Sequence, residues 1–437
     1  MLDINFIRKN PQVIKNVLKE RNMKVNVDHL LKLDKKRRTV MNKMEDLRAK
    51  QNTASKFIAK SSGQEKNQKI IEMKAISKRL KELEPTVEKI DKGYNKLMRG
   101  LPNIHLPGVV VGPDESGNKI VRKEGKILKK DFDVKDHVDL GETLDIIDLK
   151  RAAKVTGARF AYLKGAAAVM QMALIKYTFD TLTSEKIIKK IANGVKEGYN
   201  SKPFIPVFPP VMLRPDVFRK MARLTDEDKD ERYYIESDDI YLAGSAEHTL
   251  GPMHMNEVFE EKVMPIRYLG YATSFRREAG SYGKDTRGIL RVHQFDKLEM
   301  ESYTLPEHSK TEQDLFVAIQ EFMLQELEIP YQVVDICTGD MGKPDARQID
   351  IECYLPGQKK YRETHTSDLM TDFQSRRLNI RVKRINGKNE FVHMNDATAF
   401  AMGRTLIAIM ENFQNKDGSI TVPNILQKYM NGMDRIK

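Results

Sequence analysis

The residues best suited to chemistry lie between Phe275 and Met300, where the chain reads FRREAGSYGKDTRGILRVHQFDKLEM. Arg276 and Arg291 can hold phosphate oxygens in a forked geometry, and the ring of Phe295 offers a flat stacking surface for a purine. Glu299 can accept hydrogen bonds from an ammonium or a hydroxyl group. The stretch therefore predicts a nucleotide site, although an ordinary charged hairpin with surface ion pairs would show the same pattern.

Two strands joined by a long loop are expected to position these side chains. Alternate residues from Arg291 to Glu299 would share one face of a strand, because side chains in a strand alternate with a two-residue period. Residues 275–278 can form the preceding strand. Gly280, Gly283 and Gly288 would let the loop between the two strands turn at low steric cost.

The same stretch resembles motif 2 of the class II aminoacyl-tRNA synthetases, in the form typical of the seryl family. The resemblance rests on FRREAG, a loop ending in TRG, and RVHQFDKLE, in this order. It implies that Arg276 binds the α-phosphate of ATP and that Phe295 stacks on adenine. It also implies that Glu278 and Val292 help to hold the nucleotide and that Glu299 contacts the substrate serine.

A second short segment, GSAE at residues 244–247, resembles the TAE triplet with which the family contacts serine. Ser245 keeps the hydroxyl of the usual threonine and loses a methyl group. The resemblance implies a serine site formed by Ser245, Ala246, Glu247, Glu299 and Thr398. Without the resemblance, the segment would indicate only the capped start of a helix.

The segment from Glu363 onward, ETHTSDLMTDFQSRRLN, resembles the family's short ATP-binding segment followed by a characteristic DFQSRRLN. The resemblance implies that Glu363, with a hydroxyl such as that of Thr366, places Mg²⁺ on the triphosphate. His365 and Met370 stand where the family more often has serines and cysteines. The complete set of predicted ATP contacts is Arg276, Arg277, Glu278, Arg291, Val292, Phe295, Glu363, Thr364, His365, Thr366 and Arg404.

Residues 395–414, NDATAFAMGRTLIAIMENFQ, have apolar positions at helical spacing and resemble motif 3 of the same class. The resemblance implies that Arg404 binds the γ-phosphate and that Thr398 supplies a hydroxyl to the serine site. Asp396 stands where the family usually has asparagine, and Met394 where it usually has threonine. These two changes would add a negative charge and remove a hydroxyl close to the substrate. The predicted catalytic residues are Arg276, Glu278 and Arg404.

Positive charge is concentrated near the N-terminus. Residues 26–99 contain 20 Lys or Arg and 10 Asp or Glu, an excess of 20 − 10 = +10 within a total net charge of +13. Such a segment favours a polyanion such as tRNA, because binding phosphates releases condensed counterions. A solvated helical face is the alternative.

The same segment predicts a long antiparallel helical hairpin over about residues 26–99. One apolar seam with steps of three and four residues comprises Met73, Ile76, Leu80, Leu83, Val87, Ile90, Tyr94 and Leu97. A weaker seam comprises Leu30, Leu33, Val40, Met44, Leu47, Ala54 and Ile58 and is interrupted by Arg37 and Gln51. Ser61, Ser62 and Gly63 separate the two helices. Pro85 is expected to kink or interrupt the second helix.

These patterns predict an α+β protein. Residues 1–112 would form an N-terminal tRNA-binding domain with the antiparallel coiled-coil arm, preceded by short helices within residues 1–23. Residues 113–437 would form a class II catalytic domain, an antiparallel sheet flanked by helices. A helix at 166–182 and a proline-marked extended segment at 204–212 resemble motif 1, which in the family builds a homodimer interface.

The composition indicates the cellular compartment that we expect for the protein. The longest apolar run, residues 165–175, is much shorter than the roughly 20 residues that a membrane span needs. We therefore expect no membrane partner and, with no signal-peptide pattern, a cytoplasmic location. The two cysteines, Cys337 and Cys353, fit a reducing compartment and exclude a disulfide framework and a multi-cysteine zinc site.

The resemblance, which extends along the whole chain, implies an aminoacyl-tRNA ligase that activates L-serine with ATP. Such an enzyme transfers serine to the 3′ end of serine tRNA, and of selenocysteine tRNA where that exists. One rival is a paralogue that activates another small amino acid or loads a carrier other than tRNA. The other rival is a non-catalytic RNA-binding relative.

Overall fold

The computed structural model describes residues 1–60, 62–225, 228–279 and 287–437. Ser61, in the predicted turn of the hairpin, and Gly280 and Gly283, in the predicted motif 2 loop, lie outside these residues. Contacts divide the chain into two compact units, Met1–Pro102 and Asn103–Lys437. The boundary predicted at residue 112 falls in the extended segment that follows Pro102, and the division of function between the two parts stays a prediction.

The N-terminal unit consists of helices. They are α1 (Ile4–Lys9), α2 (Pro11–Glu20), α3 (Val27–Ile58) and α4 (Gly63–Gly100). The predicted helical hairpin is confirmed, because α3 and α4 pack along each other and every residue of both predicted seams is buried or half-buried. The short helices pack near the start of α3, where the Arg8 guanidinium lies 2.7 Å from the Asp34 carboxylate.

The polar residues that interrupt the first seam have partners on α4. Arg37 Nε lies 2.6 Å from Asp91 Oδ1, and Gln51 Nε2 donates to Ser77 Oγ at 3.0 Å. Pro85 does not interrupt α4, contrary to one of the expected outcomes, since the helix runs from Gly63 to Gly100. Pro85 is exposed. Water can therefore reach the backbone carbonyl that the missing N–H leaves unpaired.

The second unit combines helices with a large sheet, so the predicted α+β class is confirmed. Its helices are α5 (His137–Thr143), α6 (Leu149–Thr156), α7 (Gly165–Leu182), α8 (Glu185–Val195), α9 (Pro215–Lys220), α10 (Glu247–Leu250), α11 (Ser309–Glu326), α12 (Phe373–Leu378), α13 (Met402–Asn412) and α14 (Asn424–Gln427). Its strands are β1 (Lys119–Glu124), β2 (Ile147–Asp148), β3 (Tyr162–Leu163), β4 (Ile205–Val207), β5 (Met212–Leu213), β6 (Tyr234–Ile235), β7 (Ile240–Leu242), β8 (Val258–Glu260), β9 (Ile266–Phe275), β10 (Gln294–Thr304), β11 (Tyr331–Asp335), β12 (Arg347–Leu355), β13 (Lys360–Thr371), β14 (Arg381–Lys383), β15 (Asn389–Phe391), β16 (His393–Ala401), β17 (Ile420–Thr421) and β18 (Arg435–Ile436).

The main sheet has eight strands in the order β1-β11-β12-β13-β16-β10-β9-β4, and all neighbours are antiparallel except β4 and β9. Alternate residues of β10 divide between its two faces. Leu298 and Met300 join the core formed with α7, α8, α11 and α13. Lys297, Glu299 and Glu301 therefore point to the opposite face, which carries the site described below.

The strand ends differ from those predicted. β9 ends at Phe275, so residues 276–278 follow the strand instead of forming it. β10 begins at Gln294, so Arg291 and Val292 precede it. Helical spacing was assigned from residue 395, but residues 395–401 belong to β16 and only Met402–Asn412 are helical. The predicted helix at 166–182 is confirmed by α7, and the extended segment at 204–212 contains β4.

A buried ion pair holds β9 against α11 and the segment before β4. Arg267 Nε lies 2.6 Å from Glu312 Oε1, and both side chains are fully buried. Arg267 also donates to the backbone carbonyl of Lys202 at 2.7 Å, and the Tyr199 hydroxyl donates to Glu312 at 2.7 Å. Each charge therefore has several hydrogen-bond partners, which a buried ion pair needs to offset its desolvation.

Removing one member of this pair should destabilise the second unit strongly. We expect Arg267→Met to lower the free energy of unfolding by about 3–5 kcal/mol, because Glu312 would stay buried without its cation. The matched control is Lys310→Met on α11, the helix that carries Glu312. Lys310 pairs with Asp314, and the lysine side chain is largely exposed. This control should lower the free energy of unfolding by less than about 1 kcal/mol. Urea denaturation measures both, and equal losses would contradict a special role for Arg267.

Candidate active site

A cavity of about 190 Å³ lies on the sheet face opposite the covering helices. It brings together most of the predicted site residues from five separate segments of the chain. Its lining includes Glu247, Arg276, Glu278, Arg291, Val292, Phe295, Glu299, Glu363, Thr364, Thr366, Thr398 and Arg404, and also Arg223, Lys297, Asp368 and Asp396, which were not predicted as site residues. The predicted residues Arg277, Ser245, Ala246 and His365 are not part of this lining.

One end of the cavity carries the motif 2 residues. Arg276 Nε donates to the Gly244 carbonyl at 3.0 Å, and its guanidinium lies 5.3 Å from the centre of the Phe295 ring. Burial lowers the pKa of Arg276, although nearby Glu278 opposes this effect. Arg291 Nη1 donates to Glu278 Oε2 at 2.6 Å, so these two side chains hold each other. A fixed guanidinium beside an aromatic ring suits a purine nucleotide and its phosphate.

Arg404 and Glu363 form the opposite wall. Arg404 Nη1 donates to the carboxylate of Glu363 at 2.9 Å and to its backbone carbonyl at 2.8 Å. Burial alone would raise the pKa of Glu363, but the charges of Arg404 and Arg276 outweigh it and hold the pKa below its usual value. Glu363 is therefore ionised, and its side chain is 50% exposed. A second cavity, of about 450 Å³, shares Glu363, Arg404 and Arg291 with the first.

The inner end of the cavity is small and polar. Lys297 Nζ lies 2.5 Å from Glu299 Oε2, and the Ser245 hydroxyl donates to the same oxygen at 3.2 Å. Burial raises the pKa of Glu299, and the charge of Lys297 opposes that shift. Thr398 stands directly opposite Glu299 on β16. Ser245 does not cap α10, which was the alternative explanation of its position.

Arg223 is the main site residue that the sequence did not reveal. Its Nε lies 2.9 Å from Glu247 Oε1, and its Nη2 lies 3.2 Å from both Asp368 and Asp396. Burial alone would lower the pKa of Arg223, but the surrounding carboxylates raise it well above the ordinary value. Arg223 belongs to none of the motifs, and no local pattern distinguishes it from a surface arginine. Long-range contacts alone identify it.

Two of the unusual residues noted in the sequence lie away from the cavity. His365 is 1% exposed, its ring Nδ1 lies 2.8 Å from Thr364 Oγ1, and burial lowers its pKa to about 3. Met394 is fully buried in an apolar cluster. The hydroxyl of Thr364 also points inward and donates to the Ile351 carbonyl. Asp396 alone among the unusual motif 3 residues therefore changes the cavity itself.

Two carboxyl groups beside Glu363 were also missed. Asp350 and Glu352 on β12 line the second cavity, and Glu352 is paired with Glu363 across the two strands. Burial, reinforced by Glu363, raises the pKa of Asp350 well above its usual value. A two-residue spacing of acids on a strand is the signal that could have located them, because such residues share one face.

Comparisons with known proteins show the family to which the chain belongs. Residues 231–413 match the model of the tRNA synthetase class II core domain (G, H, P, S and T), and residues 1–105 match the seryl-tRNA synthetase N-terminal domain. The serine--tRNA ligase of Symbiobacterium thermophilum is 40% identical over 98% of both chains, and that of Nitrosopumilus maritimus is 39% identical over the whole of both. The crystal structure of seryl-tRNA synthetase from Pyrococcus horikoshii complexed with ATP is 38% identical, covers 100% of this chain and 99% of its own, and has a TM-score of 0.84.

The antiparallel sheet, with motif 2 on β9 and β10 and motif 3 on β16 and α13, defines a class II aminoacyl-tRNA synthetase core. The protein is therefore an aminoacyl-tRNA ligase. Identity over the full length of its relatives shows more: the chain belongs to the seryl-tRNA synthetase family.

A buried histidine orients Glu247 within this site. The Gly244 N–H donates to His248 Nδ1 at 3.0 Å, so Nδ1 is the acceptor and Nε2 carries the proton of the neutral ring. Nε2 lies 3.2 Å from Glu247 Oε1. Burial lowers the pKa of His248 to about 4 even though Glu247 opposes the shift. The neutral ring can thus donate to Glu247 without adding a charge.

This histidine should make stability fall with acid. Between about pH 6.5 and pH 4 the unfolded chain binds a proton at His248 that the native state does not bind, so the free energy of unfolding decreases as the pH is lowered. We expect His248→Asn, whose Oδ1 can still accept from Gly244, to reduce this slope by about 1 kcal/mol per pH unit between pH 6 and 5. Urea denaturation at several pH values tests this. An unchanged slope would show that His248 titrates normally.

Proposed function

We propose that this chain activates L-serine with ATP to form seryl-adenylate and then transfers serine to the 3′ end of serine tRNA. Selenocysteine tRNA, where it exists, would be a second substrate. One observation carries the proposal: a single cavity joins Arg276, Phe295 and Arg404, which suit ATP, to a small polar end that contains Glu299. The cavity fits a nucleotide phosphate next to a short amino acid.

The first step needs positioning and charge stabilisation more than covalent participation by the protein. An oxygen of the serine carboxylate attacks the α-phosphorus of ATP, the bond to the β-phosphate oxygen breaks, and pyrophosphate leaves. Arg276 would stabilise charge on the α-phosphate and Arg404 would hold the γ-phosphate. Glu278, paired with Arg291, would help to hold the nucleotide, with Val292 beside it. In the second step a ribose hydroxyl of the tRNA attacks the seryl carbonyl and AMP leaves.

The inner end of the cavity suits the ammonium and hydroxyl groups of serine. Carboxylate oxygens of Glu247, Glu299 and Asp396 lie within 4.8 Å of one another, so they converge on one point where a cation can bind. Thr398 and Ser245 offer hydroxyl groups close to Glu299. Alanine would leave these buried groups unpaired, which costs a site of this kind about 10⁴-fold in discrimination.

Glu363 and Thr366 would hold Mg²⁺ on the triphosphate. Both line the cavity, and their oxygen atoms are the ligand type that Mg²⁺ prefers. The charges of Arg404 and Arg276 outweigh the effect of desolvation and lower the pKa of Glu363, which keeps its carboxylate ionised. When bound, the ion would neutralise phosphate charge. The residues present therefore fit the metal. Arg277, Thr364 and His365 remain predicted members of the ATP-binding segments, with Arg277 exposed and His365 buried.

The basic helical hairpin would hold the tRNA, and a homodimer would complete the enzyme. The motif 1 segment supports the dimer, because large apolar side chains are exposed on α7 and around β4: Met172 63%, Ile205 53%, Phe208 73% and Met212 49%. An exposed apolar surface of this kind favours association.

A cytoplasmic location is also proposed. Cys337 and Cys353 are both free and buried, which fits a reducing compartment. In the part of the chain that the structure describes, no helix is long and apolar enough to cross a membrane.

Pyrophosphate exchange tests the reaction and its substrate. We expect serine-dependent exchange, and we expect Glu299→Gln to raise the KM for serine about 100-fold while the KM for ATP changes less than about threefold, because a buried charged hydrogen-bond acceptor is lost. Glu185→Gln, at an exposed position on α8, is the matched control. Exchange with no amino acid would favour the non-catalytic rival. Exchange with another amino acid but not with serine would favour the paralogue.

The arm should bind tRNA through exposed lysines. Lys36, Lys43 and Lys50 are exposed and recur every seven residues along α3, so they form one stripe. We expect replacement of all three by glutamine to weaken tRNA binding and to lower the slope of log Kd against log salt by up to about 0.9 for each lost phosphate contact. Adenylate formation should not change. Arg37 is left intact because it contacts Asp91 on α4.

A matched control removes the same charge from the catalytic unit. Lys186, Lys189 and Lys190 are exposed on α8, and their replacement by glutamine lowers the net charge by the same amount. We expect this control to leave the salt slope unchanged. If both triple variants weaken tRNA binding equally, net charge is responsible and the arm has no special role.

A further inference from the structure

Three buried carboxyl groups lie side by side across the sheet at the inner end of the cavity. Glu301 on β10 is paired with Asp396 on β16, and Asp396 is paired with Asp368 on β13. We call these three residues the carboxyl row. All are at most 5% exposed. The next residues along the same face, Tyr303 and Met394, belong to an apolar cluster. The carboxyl row therefore lies between the polar cavity and apolar core.

Arg223 is the cation that contacts this row. Besides Asp368 and Asp396, each 3.2 Å from its Nη2, it contacts Glu247 at 2.9 Å and lies 4.0 Å from Asp345. Its side chain is 16% exposed and lines the cavity. One guanidinium thus links the row to Glu247, which stands beside the proposed ammonium site.

The charge balance of these groups depends on Arg223. Burial, followed by the charge of Glu247, raises the pKa values of Asp396 and Glu301 well above the usual range, and Arg223 opposes both shifts. Burial would raise the pKa of Glu247 as well, but Arg223, followed by His248, holds it well below its usual value. Glu247 therefore remains a carboxylate among neighbours that burial favours as neutral acids. A carboxylate is what the substrate ammonium needs.

The aspartate at position 396 explains why the Arg223 guanidinium is present at this point of the cavity. The family motif usually has asparagine at this position, which carries no charge. Aspartate adds a carboxyl group next to Glu247 and Glu301, and an uncompensated buried carboxyl group is costly. The forked guanidinium of Arg223 reaches Glu247 and Asp396 together, which a lysine ammonium does less well.

We propose that Arg223 is a positioning residue of the amino-acid pocket: it compensates Asp396 and fixes the Glu247 carboxylate where the substrate ammonium binds. The inference deepens the proposed function and rests on it for the identity of the amino acid. It makes the need for Arg223 conditional, because replacing the Asp396 carboxyl group with an amide should relax that need.

A double-mutant cycle tests this condition. Arg223→Met keeps an unbranched, though shorter, side chain and removes its charge. In the parent chain we expect it to raise the KM for serine in pyrophosphate exchange about 100-fold, with the KM for ATP changed less than about threefold. In an Asp396→Asn background the same change should raise the KM for serine less than about tenfold. Arg223→Lys should fall between the parent and Arg223→Met.

The outcomes of this cycle distinguish a positioning role of Arg223 from a general structural one. Equal effects of Arg223→Met in both backgrounds would overturn the pairing with Asp396. A rise in the KM for ATP equal to that for serine would overturn the positioning role and indicate a general structural one. If the parent chain gives no exchange with serine, the proposed function fails. Urea denaturation would then still test whether Arg223 is coupled to Asp396. Arg223→Met should lower the denaturation midpoint clearly more in the parent chain than in the Asp396→Asn background.

Discussion

Neutralisation of carboxylates that the fold removes from water is the constraint on which the cavity of the second unit depends. Lys297 neutralises Glu299, and Arg223 contacts Glu247 and Asp396. Because a buried charge without a partner costs several kcal/mol, the position of each cation determines which carboxylates can be ionised. The charged lining of the cavity and the burial of these carboxyl groups in the sheet therefore depend on the same cations.

The two-residue period of the strands separates this charged surface from the core. On β10, Leu298 and Met300 pack under the helices while Lys297 and Glu299 face the cavity. A bulge between Ile351 and Glu352 in the pairing of β12 with β13 breaks that rule locally. Thr364 and His365 are both buried as a result, and Glu363, Thr364 and Thr366 line the cavity while His365 does not.

Sequence alone was sufficient where the signal was periodic or carried by a long motif. The apolar seams located α3 and α4 within a residue or two, and motif 2 identified Arg276, Phe295 and Glu299 as members of one site. Local patterns could not give the end of β9, since no glycine or proline marks the point after Phe275 where the strand ends. They could not give Arg223 either, because its role arises from contacts with residues far away in the chain.

The polar contacts inside the helical hairpin also have a mechanical consequence. Arg37–Asp91 and Gln51–Ser77 join α3 to α4 at two levels. If one helix slid past the other by a turn, both polar pairs would separate within the seam, so the register is fixed. The 32 residues of α3 then span about 48 Å at a rise of about 1.5 Å per residue. The length of the hairpin is therefore set by the number of residues in its helices, and the relative position of the two helices is held by the polar pairs within the seam.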